Sequence, residues 1–291
     1  MNCVIVSHAL GFAEVSVDAL QQLSEIVLQP WGRIKGDLKV GTQPSANQTI
    51  QLQNMYWRFT GWPSLMLMLQ VQTDDGGHFV FEGVPPGQRK VSFSPKFRKD
   101  KMGALGFSHD QIVVVAPGET SYVTLGGAGR AVVGRISAEG ISKPIEWAQD
   151  VHKLTLKVGL PPEAVVPERN AFASDQNYSN AMQHYIDRSR AYWLSDAGRE
   201  AQRMERTYML LFSPDGSFRV NDVPPGTYEL SVTPTEPPAP VKMAGGGTSF
   251  FAVGTTPIGS VKVEVVVPEI GDAQEGTPVD LGMFRLKPTA P

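Results

Sequence analysis

Asp75-Gly76-Gly77-His78-Phe79-Val80-Phe81-Glu82-Gly83-Val84-Pro85-Pro86-Gly87-Gln88-Arg89-Lys90-Val91-Ser92-Phe93 and Asp215-Gly216-Ser217-Phe218-Arg219-Val220-Asn221-Asp222-Val223-Pro224-Pro225-Gly226-Thr227-Tyr228-Glu229-Leu230-Ser231-Val232 are two copies of one pattern, aligned with a single-residue gap. In each copy Asp-Gly supplies the positive φ that a tight turn needs. Phe79 and Phe81, or Phe218 and Val220, then alternate with other residues, which is the period of a strand with one buried face. In Val-Pro-Pro-Gly the second proline presets φ for a turn, and the glycine is able to take the positive φ of a type II turn. A second alternating strand follows, through Val91 and Phe93 or through Tyr228, Leu230 and Val232. Each block therefore reads as a β-hairpin.

The repeat extends outward. Trp31-Gly32-Arg33-Ile34-Lys35-Gly36 matches Ala128-Gly129-Arg130-Ala131-Val132-Val133-Gly134, and each opens a module with a strand. A strand is predicted just upstream of each, at Glu25-Ile26-Val27-Leu28 and at Ser121-Tyr122-Val123-Thr124-Leu125. A third copy of this closing strand, Pro278-Val279-Asp280-Leu281-Gly282, lies near the C-terminus. Self-similarity of this kind divides the chain into repeated units. Module one is read as residues 29–127 and module two as 128–288. Residues 1–28 are read either as the closing part of a truncated preceding module or as an N-terminal extension.

Module two is longer because of an insert. Between residues 174 and 206 the strand period gives way to a helical one, with Tyr178, Met182, Tyr185, Ile186, Trp193 and Leu194 on one stripe. Ser174 or Asp175 is the candidate N-cap, and Ser195-Asp196 with Gly198 is the candidate break into two helices. The fold class is all-β, two tandem Greek-key sandwiches, the second with a helical insert.

The opening strands with Gly36 and Gly134, the Asp-Gly turn with its Phe, and Val-Pro-Pro-Gly-x-Tyr with its alternating strand resemble the carboxypeptidase regulatory-like domain. That family is similar in shape to transthyretin-like and Cna-B-like modules. The resemblance covers both modules and implies prealbumin-like, immunoglobulin-like sandwiches of about seven strands, in tandem repeats within large bacterial envelope proteins. Module one departs from the pattern, with Gln88-Arg89 where module two has Thr227-Tyr228. Cna-B-like modules with an isopeptide crosslink join a Lys to an Asn, and the closing strands here contain no Asn.

The chain has 291 residues, a formal net charge of −3 and scattered Lys and Arg, so it offers no basic stripe for nucleic acid. Its 29 glycines and 23 prolines suit many turns between short strands. The longest apolar run, residues 65–69, is far short of the ~20 residues that span a bilayer. The single Cys3 excludes an internal disulfide framework. Residues 1–12 lack a basic segment followed by a long apolar one, so no secretory signal is predicted there. The family resemblance nonetheless implies an extracytoplasmic location within a longer chain.

No catalytic, cofactor-binding or metal-ligating residues emerge. The five histidines are widely spaced without ligand spacing, and there is no Gly-x-Ser-x-Gly elbow. Gly126-Gly127-Ala128-Gly129 joins two strands and reads as an inter-module hinge rather than a phosphate loop. Asp74, Asp75 and Asp215 read as turn residues. The functional lead is aromatic. Tyr56, Trp57 and Trp62 in module one, and Tyr185 and Trp193 in the helical insert, are candidate contacts for a protein or a carbohydrate, since both partners use flat amphipathic rings. The expectation is a non-catalytic spacer or interaction region without cofactors, with carbohydrate binding as the alternative.

Overall fold

The computed structural model describes residues 3–54, 67–95, 106–147, 150–157, 166–236, 241–242, 248–249, 256–269 and 276–289. An N-terminal hairpin comes first, β1 (Cys3–His8) with β2 (Gly11–Ser16), followed by a short helix α1 (Val17–Leu20). Residues 25–28 form no strand, contrary to the expected closing strand. The segment is held instead by a bridge between Phe12 and Gln29, whose N–H and C=O groups exchange two hydrogen bonds of 2.9 Å. Phe12 packs against Trp31, with ring centroids 5.6 Å apart, so the hairpin docks on the entrance to module one.

Module one is a two-layer sandwich. One layer has β3 (Gly32–Val40) at its centre, antiparallel to β7 (His78–Val84) and parallel to β10 (Thr120–Leu125), with the short β4 (Gln43–Pro44) at its end. The other layer is antiparallel and runs β6 (Met68–Gln72), β5 (Thr49–Asn54), β8 (Gly87–Ser94), β9 (Ser108–Val115). Ile34, Leu38, Ile50, Leu52, Phe79, Phe81 and Val91 fill the space between the layers.

Module two repeats this wiring. Its first layer runs β14 (Leu211–Phe212), β15 (Ser217–Val223), β11 (Arg130–Ser137), β20 (Val279–Arg285), and β20 is again parallel to the opening strand. Its second layer runs β13 (Thr207–Met209), β12 (Lys153–Leu156), β16 (Gly226–Val232), β19 (Gly259–Val267), closed by β21 (Lys287–Pro288). A two-residue pair, β17 (Val241–Lys242) with β18 (Thr248–Ser249), lies apart from both layers. β10 and β20 each lie parallel beside the strand that opens their module, so the closing strands expected at 121–125 and 278–282 play the same part.

The repeated block is not a hairpin. β7 pairs with β3 while β8 pairs with β5 and β9; likewise β15 pairs with β11 while β16 pairs with β12 and β19. Val-Pro-Pro-Gly is thus a corner that carries the chain from one layer to the other. Two prolines cannot donate to a ladder, and a β-bulge precedes them in each copy, between Gly32/Ile34 and between Arg130/Val132 on the opposing strand. The Asp-Gly turn closes a true hairpin in module two, between β14 and β15. In module one the positive φ falls on Gly77, not Gly76, and Asp74 rather than Asp75 accepts the turn's N–H groups, from Gly76 and His78.

Alternation along β7 is clean: Phe79 and Phe81 are buried while His78, Val80 and Glu82 are exposed. The opening glycines explain the phenylalanines. Gly36 is the register partner of Phe79 and Gly134 that of Phe218. A Cβ at Gly36 would lie 2.4 Å from the Phe79 ring, and one at Gly134 2.5 Å from the Phe218 ring. Each ring lies across the bare backbone opposite it, a cross-strand pairing that covers an otherwise exposed glycine.

The departure in module one also has a structural answer. Tyr228 points into the core and its hydroxyl donates to the Pro224 carbonyl at 2.8 Å. Arg89 holds the same strand position and is 3% exposed; its guanidinium donates to the carbonyls of Pro86 at 2.6 Å and Gln88 at 2.8 Å. Both side chains pin the Pro-Pro corner by its carbonyl oxygens.

The insert forms two helices, α2 (Asp175–Leu194) and α3 (Asp196–Met204). Ser174 is the N-cap, accepting the Asn177 N–H at 3.2 Å. The break falls at Ser195, whose hydroxyl accepts from Gly198 N–H and donates to the Tyr192 carbonyl.

Candidate functional site: the inter-module junction

The segment 126–129 was expected to be a hinge, but two of its glycines, Gly126 and Gly129, sit where no side chain fits. A Cβ at Gly126 would lie 2.1 Å from the Lys39 carbonyl oxygen, and one at Gly129 2.3 Å from the Val223 carbonyl carbon. Both glycines have positive φ. The linker is therefore a packed turn pressed against a strand of each module.

Two non-glycine residues with left-handed backbone face each other across this turn. Asp222 (φ 56) lies at the bulge of β15, where module one has Gly83 (φ 62). Its Oδ1 accepts the Gly41 N–H of module one at 2.8 Å. Burial holds its carboxyl above the usual carboxylate range, against the pull of the Gly41 hydrogen bond. His109 (φ 57) lies at a bulge of β9, opposite Ser92 of β8. Residues with side chains adopt this conformation at a cost, and they concentrate where surrounding contacts over-determine them.

The His109 ring joins the modules. Its Nε2 lies 3.0 Å from the Asn221 carbonyl oxygen, so it donates there; its Nδ1 then accepts the Ser108 hydroxyl at 2.9 Å. The Ser108 Oγ in turn accepts the Met209 N–H of module two at 3.1 Å. The ring stands edge-on to Tyr208, centroids 5.1 Å apart, and leans on Phe93 at 6.1 Å. Desolvation lowers its pKa below the usual histidine value. Tyr208 continues edge-to-face onto Tyr228 at 6.0 Å, so an aromatic chain runs from the junction into the core of module two. Helix α3 of the insert also rests on β9, adding a strut from module two to module one.

Tyr56, Trp57 and Trp62 lie outside the described residues. Tyr185 and Trp193 are both half-buried on α2, and Trp193 meets the Tyr192 ring edge-to-face at 5.0 Å with 66° between planes. Neither belongs to the junction. His78 is exposed, and its Nδ1 pairs with Asp37 at 2.5 Å, which raises its pKa. The residues that build the junction were missed by sequence reasoning. The available signal was Asp222 itself, an aspartate where the other repeat has glycine. A second surface feature is a depression of about 550 Å³ on the outer face of β11, lined by Val133, Arg135, Leu211, Arg219, Asp280 and Met283. No helix among the described residues is long and apolar enough to cross a membrane.

No family model matches the chain, and no curated protein matches it. Among solved structures it is similar to a candidate carbohydrate-binding protein of Pseudomonas aeruginosa, at 20% identity and TM-score 0.24, over 33% of this chain and 88% of that one. It is also similar to GBS52, the minor pilin of Streptococcus agalactiae, at 12% identity and TM-score 0.26, over 89% and 97%. A third, a leucine-rich repeat protein of Bacteroides thetaiotaomicron, has 13% identity and TM-score 0.25; the match covers 89% of this chain but 27% of that one. Likenesses this distant carry no weight in the functional reading, and the sandwich architecture rests on the strand pairing itself.

Proposed function

We propose that the chain is a non-catalytic, carboxypeptidase regulatory-like pair of sandwiches that acts as a rigid spacer or docking region within a larger bacterial envelope protein, outside the cytoplasm. The observation that supports this reading is the junction. A linker with no room for a side chain at Gly126 or Gly129, the Asp222–Gly41 hydrogen bond and the Ser108–His109–Asn221 chain all oppose independent movement of the modules. A spacer needs such rigidity to hold what lies at its two ends at a set separation.

The test is a distance distribution. Spin labels at Tyr122→Cys and Val266→Cys, both at exposed positions on different modules, in a Cys3→Ser background, should give a narrow inter-module distance by pulsed dipolar spectroscopy. A distribution as broad as that of two tethered beads would refute the rigid-spacer reading. Carbohydrate binding is the competing function. It would be supported by oligosaccharide-induced quenching of tryptophan fluorescence that is lost in Trp193→Ala or Trp62→Ala.

A further inference from the structure

We propose that the junction is a proton-operated lock, closed near neutral pH and released when the His109 ring gains a second proton, which converts a rigid pair of sandwiches into two loosely tethered ones. This rests on the rigid-spacer reading above, since a lock needs a fixed arrangement to release.

The geometry assigns the tautomer. Nε2 faces a carbonyl oxygen, that of Asn221, so it carries the hydrogen. Nδ1 is then the acceptor of the Ser108 O–H. Protonation places an N–H where a donor already points. The Ser108 hydroxyl, which accepts the Met209 N–H, would have to turn its own hydrogen toward another partner. The same proton also puts a cation between the Phe93 and Tyr208 rings, where charge is poorly solvated.

The surrounding charges act in a definite order. Burial is the dominant influence on the ring and disfavours the cation; the Asn221 carbonyl, then Asp222 from β15 and Asp110 from β9 itself, act against it. Asp110 is already engaged by Lys90 of β8. Asp222's own carboxyl is held above the usual carboxylate range by burial. Tyr208 stays neutral throughout, because burial pushes its hydroxyl pKa upward.

The sign follows. The docked ring resists protonation while the undocked ring titrates near 6.5, so docking is strongest above that value. It weakens as pH falls from there toward the docked pKa.

The same doubly spin-labelled protein tests this. The distance distribution is expected to be narrow at about pH 7.5 and broad at about pH 5, with an unchanged far-ultraviolet spectrum at both. In His109→Gln, whose amide N–H still reaches toward the Asn221 carbonyl without titrating, the distribution is expected to stay narrow at both. A wild-type distribution that stays narrow at both pH values overturns the lock and leaves the spacer reading standing. One already broad at neutral pH overturns both. Equal broadening of His109→Gln and wild type on acidification assigns the proton elsewhere and overturns the lock. Should His109→Gln be loose at neutral pH, the wild-type ring decides: its Cε1–H resonance must titrate below about 6.5, and a higher pKa overturns the proposal.

Discussion

The Asp222 carboxylate of module two accepts the backbone N–H of Gly41 of module one at 2.8 Å, from a backbone conformation that module one gives to Gly83. A left-handed aspartate costs about 1 kcal/mol relative to glycine, so the position exchanges local strain for a bond across the junction. Two substitutions separate the terms. Asp222→Ala keeps the strain and loses the bond, and should cost about 2 kcal/mol; Asp222→Gly loses both and should cost about 1 kcal/mol or less. Urea unfolding of the full chain measures both, and a glycine variant less stable than the alanine one would refute the exchange.

Arg89 and Tyr228 are expected to be partly interchangeable, because each pins a Pro-Pro corner by its carbonyl oxygens. Arg89→Ala leaves those carbonyls and a buried volume unfilled and should destabilise module one by about 2–4 kcal/mol. Arg89→Tyr should recover at least half of that loss. Tyr228→Phe removes only the hydroxyl and should cost about 1 kcal/mol. Thermal denaturation ranks the three, and an Arg89→Tyr variant no better than Arg89→Ala would show that the arginine's charge matters more than its reach.

How much of this was legible beforehand follows from which interactions are local. The alternation of Phe79 and Phe81 and the helical stripe from Tyr178 are periodic, so strands, helices and two equivalent sandwiches could be read directly. Val-Pro-Pro-Gly misled, because the same turn chemistry serves a hairpin and a corner between layers; only the partners of β7 and β8, far away in sequence, distinguish them. The strand expected at residues 25–28 has β-forming residues, but β10 already holds the parallel place beside β3. The junction was least legible. His109 meets Asn221 112 residues away, and no spacing rule joins them.

Acid should destabilise module two through His152. The residue is 1% exposed beside Phe212 and Trp147, and burial pushes its pKa down to about 4. Its folded pKa lies below the unfolded value near 6.5, so its stabilising effect is complete above 6.5 and is lost progressively as pH falls toward 4. The full loss is about 3 kcal/mol. Melting temperatures from about pH 7 to about pH 4 should fall less steeply in His152→Phe, and equal slopes would exclude His152 as the cause.

The helical insert should be dispensable for the core but not for the junction. No residue of α2 whose burial is described, 175–193, is fully buried, whereas α3 leans on β9 of module one. Replacing residues 175–206 by a short flexible link should preserve the β-sheet circular dichroism of module two. It should also broaden the inter-module distance distribution by removing the strut. Cooperative loss of all β signal would mean that the insert is part of the folding unit.

The glycines opposite Phe79 and Phe218 give the sharpest test of the shared architecture. A Cβ at Gly134 would fall 2.5 Å from the Phe218 ring and 3.2 Å from the Gly282 carbonyl oxygen. Gly134→Val must therefore displace a core ring that is 3% exposed, and overpacking of this kind costs about 1–3 kcal/mol. Gly36→Val should do the same in module one, where the Cβ would also meet the Val123 carbonyl oxygen at 2.3 Å. Adding Phe218→Ala to Gly134→Val should restore part of the loss, because the truncation opens the space that the new side chain needs. If the double variant is destabilised by the full sum of the single effects, the valine and the ring do not compete for the same space, and the glycine is required for some reason other than the phenylalanine across from it.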